Sequence, residues 1–221
     1  MRAALSLFLS LLLACALCAG AAADAQLDTA LDYLREVAFG AEYGRKEDRL
    51  QKLMEPLRLY AEGYLTKQDE AFIDGFLHML QEKVPQLQPQ RVADKAAANT
   101  FVSYVPPDQM KERIPSYVEG NRGFFAVEDE RNHVRRIDIA IATDISTQEE
   151  RNHLFMEELF GALGLSTDSD RYPDSILYQE WTTTQTPSAL DWLCLQLLYA
   201  DYAQPGMSFP AFQTAVYAHQ K

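Results

Sequence analysis

Cysteine, positive charge and long apolar runs are all scarce in this sequence. Its 221 residues include 3 cysteines, and 20 lysines and arginines stand against 32 aspartates and glutamates, for a formal net charge of −12. Such an excess of negative charge repels the phosphate backbone, so nucleic acid is not an expected partner. Beyond the N-terminal region no stretch reaches the roughly 18 apolar residues that cross a membrane, so no transmembrane span is expected.

The longest apolar run lies at the start of the chain. Arg2 precedes an apolar stretch over residues 3–13 that only two serines interrupt, and small-residue patterns follow at Ala21–Ala23 and Ala23–Ala25. This arrangement is typical of a secretory signal peptide, which we place at residues 1–25. We therefore expect an exported protein, periplasmic or secreted, whose residues 26–221 form one domain.

The cysteines leave one alternative open. Leu12–Cys15 resembles a bacterial lipobox, so Cys15 could instead be lipidated and anchor the protein to a membrane. Cleavage after Ala23 or Ala25 removes Cys15 and Cys18 and leaves Cys194 alone, so no intramolecular disulfide is expected on that route. Cys194 lies in an apolar helical run, which favours a buried, unreactive thiol.

The hydrophobic periodicity predicts alternating helices and strands. Helices are predicted over Leu27–Phe39, Asp69–Val84, Ser146–Leu165, Ser188–Ala203 and Phe209–His219. Strands are predicted over Pro56–Gly63, Thr100–Val105, Gly123–Glu128 and Val134–Thr143, the last two joined by a hairpin tip at Asp129–Asn132. Ser146 and Glu149 have the spacing of a helix capping box. This alternation indicates an α+β protein, or an α/β one, with one mixed sheet.

One predicted helix contains the main candidate functional residues. Leu154–Leu165 is apolar apart from Glu157 and Glu158, so the helix should be buried on almost every side. Adjacent carboxylates in such a place are costly unless they are paired, hydrogen-bonded or turned toward a wet cleft. His153, Glu157, Gly161 and Gly164 share one helical stripe. Its glycines either open a cleft beside Glu157 or let another element pack closely, with the glutamates paired to arginines.

The order of motifs in this region resembles the catalytic half of the metzincin metallopeptidases. The likeness covers about residues 134–203: a strand, a buried helix ending in Ala162–Leu165, a turn at Ser175–Leu177 and a closing helix that begins at Pro187. It implies a zincin-like α+β fold, with a mixed twisted sheet, a central buried helix and a helical C-terminal part. It also implies that an extended peptide would lie between an edge strand and the helix. With Val134–Thr143 taken as that strand, Glu157 and Glu158 are expected to line a cleft between it and the Ser166–Thr186 loop.

The resemblance does not extend to the residues that would bind zinc. The family's three histidine positions hold Glu157, Gly161 and Thr167, and only the general-base position, Glu158, is retained. Catalytic zinc needs three protein ligands, so no zinc cofactor is expected. A harder divalent cation could be held by an alternative set, namely His153, Glu157 and Asp168, although His153 is expected to be exposed near the start of its helix.

The remaining cleft is expected to contain Glu157, Gly161, Gly164, Asp168 and Asp170. Glu157–Glu158, Leu163–Asp168 and Gly206–Met207 also resemble motifs of exported bacterial proteins of unknown function, some of them lipoproteins, over about residues 27–210. These resemblances imply a cell-envelope protein that binds a protein or peptide in the inherited cleft without cleaving it. The alternatives are a metal-dependent hydrolase that uses Glu158 as general base, and a structural envelope domain without a ligand.

Overall fold

Alternating apolar side chains build a mostly parallel sheet through the middle of the protein. The computed structural model describes residues 24–42, 45–46, 49–144 and 147–219. The strands are β1 (Ala41–Glu42), β2 (Arg45–Lys46), β3 (Lys52–Leu53), β4 (Arg58–Gly63), β5 (Gln90–Arg91), β6 (Thr100–Val105), β7 (Gly123–Glu130) and β8 (His133–Ala142). Residues 1–23 of the leader, with Cys15, and Ser146 lie outside the described residues, so leader cleavage and lipidation of Cys15 stay predictions.

The main sheet has the order β3-β8-β6-β4-β5, and β7 pairs with β8. All of these pairs are parallel except β7 with β8, which is antiparallel. Strands β1 and β2 form a separate antiparallel pair. The four predicted strands are present, whereas the two-residue strands β3 and β5 were missed because so short a segment has no readable alternation.

The prediction that Val134–Thr143 forms the edge of the sheet is wrong. Strand β8 pairs with β7 along one side and with β3 and β6 along the other. The reversal into β8 uses only Arg131 and Asn132, both at positive φ (55° and 69°), which is the geometry of a tight two-residue hairpin. Strand β7 therefore occupies the edge, and no other strand of the described residues pairs with it.

The helices follow the predicted segments closely. They are α1 (residues 24–37), α2 (Lys67–Lys83), α3 (Met110–Arg113), α4 (Gln148–Ala162), α5 (Ala189–Tyr199) and α6 (Phe209–His219). Single 3₁₀ turns lie at Pro85–Leu87, Lys95–Ala97 and Pro107–Gln109. No helix in the described part of the chain combines the length and apolar character needed to cross a membrane. The architecture agrees with the predicted α+β class.

Helix α4 is defined by its caps. Thr147 and Glu150 form the capping box, one residue later than predicted. At the other end, Leu165 N donates to Phe160 O at 3.2 Å and Gly164 N donates to Gly161 O at 3.0 Å. Gly164 has a φ of 111°. This is a Schellman motif, so Gly164 terminates the helix and does not belong to its stripe.

The core surrounds α4, as the apolar sequence predicts. Phe155 and Phe160 are fully buried and pack with Phe76 of α2, while Trp192 of α5 packs against Phe76 and Phe160. On its other side α4 packs against β7 and β8. Because its neighbours surround it, α4 is a fixed platform, and the half-buried Glu157 and Glu158 mark where the packing opens.

Candidate functional site

A cavity of about 390 Å³ lies between α4 and the edge strand β7. Its described lining residues are Gln51, Ser116, Val118, Asn121, Gly123–Val127, Glu157, Glu158, Gly161, Leu165–Asp168 and Leu177. The volume falls in the range of small-molecule and side-chain binding pockets. Sequence reasoning anticipated the helix and loop residues, but it missed the contribution of β7 because it placed β8 at the edge.

Close packing explains the glycines of this region better than an opened cleft does. A Cβ on Gly161 would lie 2.5 Å from Cε1 of Phe125, so the missing side chain admits the β7 aromatic ring. A Cβ on Gly123 would overlap the Glu158 carboxylate. These two glycines bring β7 directly against α4, and the cavity continues beside that contact.

Glu157 and Glu158 are both half-buried and both line the cavity. The Glu157 side chain is 23% exposed, and its Oε2 lies 3.5 Å from Nε2 of His153. The Glu158 carboxylate lies against the backbone of β7 at Gly123. The two neighbouring carboxylates therefore face the same space from different positions along the helix.

The expectation that His153 is exposed is wrong, because the side chain is only 3% accessible. The loop that follows α4 covers it: Nδ1 lies 3.0 Å from the Thr184 carbonyl, and Thr182 Oγ1 lies 3.4 Å from Nε2. Burial lowers the pKa of His153, although the Thr184 carbonyl favours the charged form. The neutral tautomer that fits donates from Nδ1 to Thr184.

The two aspartates of the loop differ in their placement. Asp168 is half-buried and lines the cavity, and burial raises the pKa of its carboxyl group. Asp170 is exposed and is not among the lining residues. Gly164 borders a separate small pocket of about 20 Å³. Of the expected cleft residues, the structure thus brings together Glu157, Gly161 and Asp168.

The lining does not fit a zinc ion. The three positions that match the metzincin histidines, Glu157, Gly161 and Thr167, all line this cavity, yet they offer one carboxylate, no side chain and one hydroxyl. Within the described ranges no three or more His, Cys, Asp or Glu side chains are grouped so that they could hold a metal ion. The alternative set of His153, Glu157 and Asp168 is not assembled as a ligand group.

The charged side chains among the described lining residues are all acidic. Glu157, Glu158 and Asp168 are the only charged side chains among the described lining residues. Arg122, next to β7, pairs with Asp144 at 3.0 Å. Arg49 borders the adjacent small pocket, where it donates to the Gly206 carbonyl at 3.4 Å. The arrangement can attract and hold a positively charged group.

A buried polar network supports the cavity from the C-terminal side. Ser175 Oγ donates to Asp191 Oδ1 at 2.6 Å, and Asp191 Oδ2 accepts from Ile176 N at 3.0 Å. Tyr33 OH lies 2.9 Å from Ser175 Oγ. Ser175 and Asp191 are both fully buried, so this pair fixes the turn before Leu177 and is not a nucleophile with its base. In the sequence, only the capping-box spacing of Ser188 and Asp191 could have indicated this network.

Comparison with known proteins places the chain in a family. No curated protein matches the sequence. A family model with the description "Protein of unknown function (DUF2927)" matches residues 28–218. This confirms the expectation of a domain of unknown function, over slightly more of the chain than the motifs covered. The chain belongs to the DUF2927 family of proteins of unknown function.

Proposed function

We propose that this protein is an exported cell-envelope protein that binds an extended segment of another protein, or a peptide, along β7 and does not cleave it. One observation carries the proposal: the cavity follows the edge of β7 with which no described strand pairs. Five consecutive residues, Gly123–Val127, line it. Successive side chains of a strand point to opposite faces, so a run of five residues meets one cavity only along the strand's edge.

The ladder between β7 and β8 shows which backbone groups reach that edge. Ala142 N donates to Arg122 O at 2.7 Å, so these two residues form a hydrogen-bonded pair. Hydrogen-bonded pairs alternate along an antiparallel ladder. With the observed register, the N–H and C=O groups of Gly123, Phe125 and Val127 point away from β8. An added strand can pair with such groups, which is a common mode of peptide recognition.

The metzincin resemblance supports the same cleft. Glu157, Gly161, Thr167 and Leu177 stand at the family's histidine and methionine-turn positions, and all four line the cavity. In our proposal the zincin-like cleft is retained for binding while the ligands that would hold catalytic zinc are replaced. Export, and the choice between cleavage and lipidation at Cys15, rest on the leader sequence alone.

The test uses a proline that removes one outward N–H. Val127→Pro should leave the β7–β8 ladder intact, because proline is tolerated where the N–H of an edge strand faces outward. Val127→Ala is the matched control, since it shortens the side chain and keeps the N–H. The probe is a phage-displayed library of random dodecapeptides, with the Kd of selected peptides measured by fluorescence anisotropy.

We expect the unaltered protein to select peptides, and Val127→Pro to weaken their binding by about tenfold or more while Val127→Ala changes it little. Circular dichroism and thermal unfolding check that the proline variant is folded. Failure to select any peptide would contradict the proposal and leave the structural, ligand-free alternative. Equal binding by the proline and alanine variants would contradict pairing along β7.

A further inference from the structure

We infer that the bound segment carries a lysine or arginine whose side chain enters the cavity and meets the carboxylate of Asp168. This inference rests on the proposed function and names the chemistry that the cavity selects. The first observation is charge complementarity, because Glu157, Glu158 and Asp168 are acidic and no described lining residue is basic. A formal net charge of −12 also attracts a basic partner at long range.

Asp168 is the acidic lining residue that most needs a cationic partner. It is half-buried, and no described residue forms a hydrogen bond or ion pair with its carboxylate. Burial without such a partner raises its pKa, which means that the fold holds this charge at a cost. A cationic group that entered the cavity would supply the missing partner, and a hydrogen bond between two charged groups is stronger than one between neutral groups.

The spacing of the acids favours an organic cation over a metal ion. Glu157 and Glu158 come from α4 and Asp168 from the loop after it, and they do not form a group that could hold a metal ion. An ammonium or guanidinium group on a flexible stem needs no such closed coordination, since it can donate separate hydrogen bonds in several directions. Its apolar stem would lie against lining residues such as Phe125 and Leu177.

The test uses synthetic libraries of the form Ac-XXXZXXX-NH₂, where X is a mixture of residues and Z is arginine, lysine, citrulline, norleucine or glutamate. Citrulline keeps the shape of arginine without its charge. Asp168→Asn removes the charge in the cavity, and Asp170→Asn is the matched control, with the same change at an exposed residue outside it. Bound fractions are measured by equilibrium dialysis at low and at physiological salt.

We expect the arginine and lysine libraries to bind about tenfold tighter than the citrulline and norleucine libraries, with glutamate weakest. Asp168→Asn should remove most of that preference, and Asp170→Asn should keep it. If all five libraries bind alike, or if Asp168→Asn keeps the preference, this inference is wrong while peptide binding stands. If no library binds, the proposed function fails and this inference falls with it. A preference that appears only with added calcium or manganese would overturn the choice of an organic cation.

Discussion

Single residues in this protein are best understood from the side chains that they lack or the partners that they need. Gly161 is a glycine because Phe125 occupies the place of its Cβ. Gly164 is a glycine because the motif that ends the helix requires a positive φ at this position, here 111°. Asp168 is a carboxylate in a place where burial disfavours its charge. The first two residues serve the fold, whereas the third has no structural benefit that the described contacts account for.

The burial of Asp168 predicts how the stability of the protein depends on pH. Its folded-state pKa is raised above the usual 3.8, so the native state binds more protons than the unfolded state and stability falls as the pH rises through this range. Asp168→Asn should therefore increase the free energy of unfolding at pH 7, and the increase should shrink as the pH falls from the raised folded-state pKa toward 3.8 and be absent below that value. Thermal unfolding at pH 7 and pH 3 measures this. An equal effect of Asp170→Asn would show that net charge, and not burial, is responsible.

The close contact between Gly161 and Phe125 predicts that a larger side chain at Gly161 destabilises the protein. Alanine normally stabilises a helix interior by about 1 kcal/mol relative to glycine. At Gly161 we expect the opposite sign, a loss of about 1–3 kcal/mol, because the added methyl collides with Phe125 on β7. Gly75 in α2 is the control, since nothing lies within 4 Å of its Cβ position. Chemical denaturation should show Gly75→Ala unchanged or stabilised. A stabilised Gly161→Ala would contradict the contact.

At the scale of elements, the position of α4 depends on one buried ion pair and one apolar cluster. Arg151 of α4 donates from Nε to Asp69 Oδ1 at 2.9 Å and from Nη2 to Asp69 Oδ2 at 2.5 Å. Its guanidinium lies 4.6 Å from the centre of the Tyr104 ring. Burial would raise the pKa of Asp69, but hydrogen bonds, that from Arg151 foremost, lower it overall. The pair ties α4 to the start of α2, and so sets the side of α4 that faces the cavity.

Removing one partner of this pair should be far more costly than removing a surface pair. Arg151→Leu leaves the Asp69 carboxylate buried without its cation, and we expect a loss of about 3–5 kcal/mol in the free energy of unfolding. Arg91→Leu is the control, because Arg91 pairs with exposed Glu70 and Asp74 and should cost about 1 kcal/mol or less. Urea denaturation distinguishes them. Similar losses for both would show that the buried pair adds nothing special.

At the scale of the whole molecule, the leader makes a prediction that intact mass can test. Export predicts that residues 1–25, or 1–23, are absent from the mature chain. Lipidation predicts a mass that begins at Cys15 and carries a diacylglyceryl group. Mass spectrometry of the protein purified from its native envelope distinguishes these outcomes. A full-length chain would contradict both routes and remove the basis for an envelope location.

The zincin-like interpretation predicts a molecule without the family's chemistry. We expect the purified mature protein to carry no stoichiometric zinc, because Glu157, Gly161 and Thr167 replace the histidines that would hold it. We also expect no cleavage of casein. Elemental analysis and a casein assay test the two statements. One tightly bound zinc per chain, or proteolysis that Glu158→Gln abolishes, would support the enzymatic alternative instead.

Local sequence patterns sufficed for most of the elements. Helix α4 was predicted from apolar residues all round it, and α5 from Pro187 at its first turn and the apolar run that follows, because both patterns lie in neighbouring residues of the chain. The predicted start of α4 was one residue early. The capping box uses Thr147 and Glu150, because Ser and Thr suit a cap about equally and the local sequence does not choose between them.

Other features could be settled only by tertiary structure. Strand β8 and strand β7 have similar alternation, and nothing local says which one gains parallel partners from distant β3 and β6. The burial of His153 depends on Thr182 and Thr184, which lie far along the chain. The same holds for the cavity, because β7, α4 and the loop at Asp168 must meet before three carboxylates face one space.

The sequence by itself determined the fold class, the buried helix and the two carboxylates that the helix carries, because periodicity, caps and the cost of burying charge are local properties. Tertiary structure alone decided which strand forms the edge, which glycines serve close packing, and which acids share a cavity. These are long-range outcomes, since each depends on the pairing of segments that the sequence separates by tens of residues.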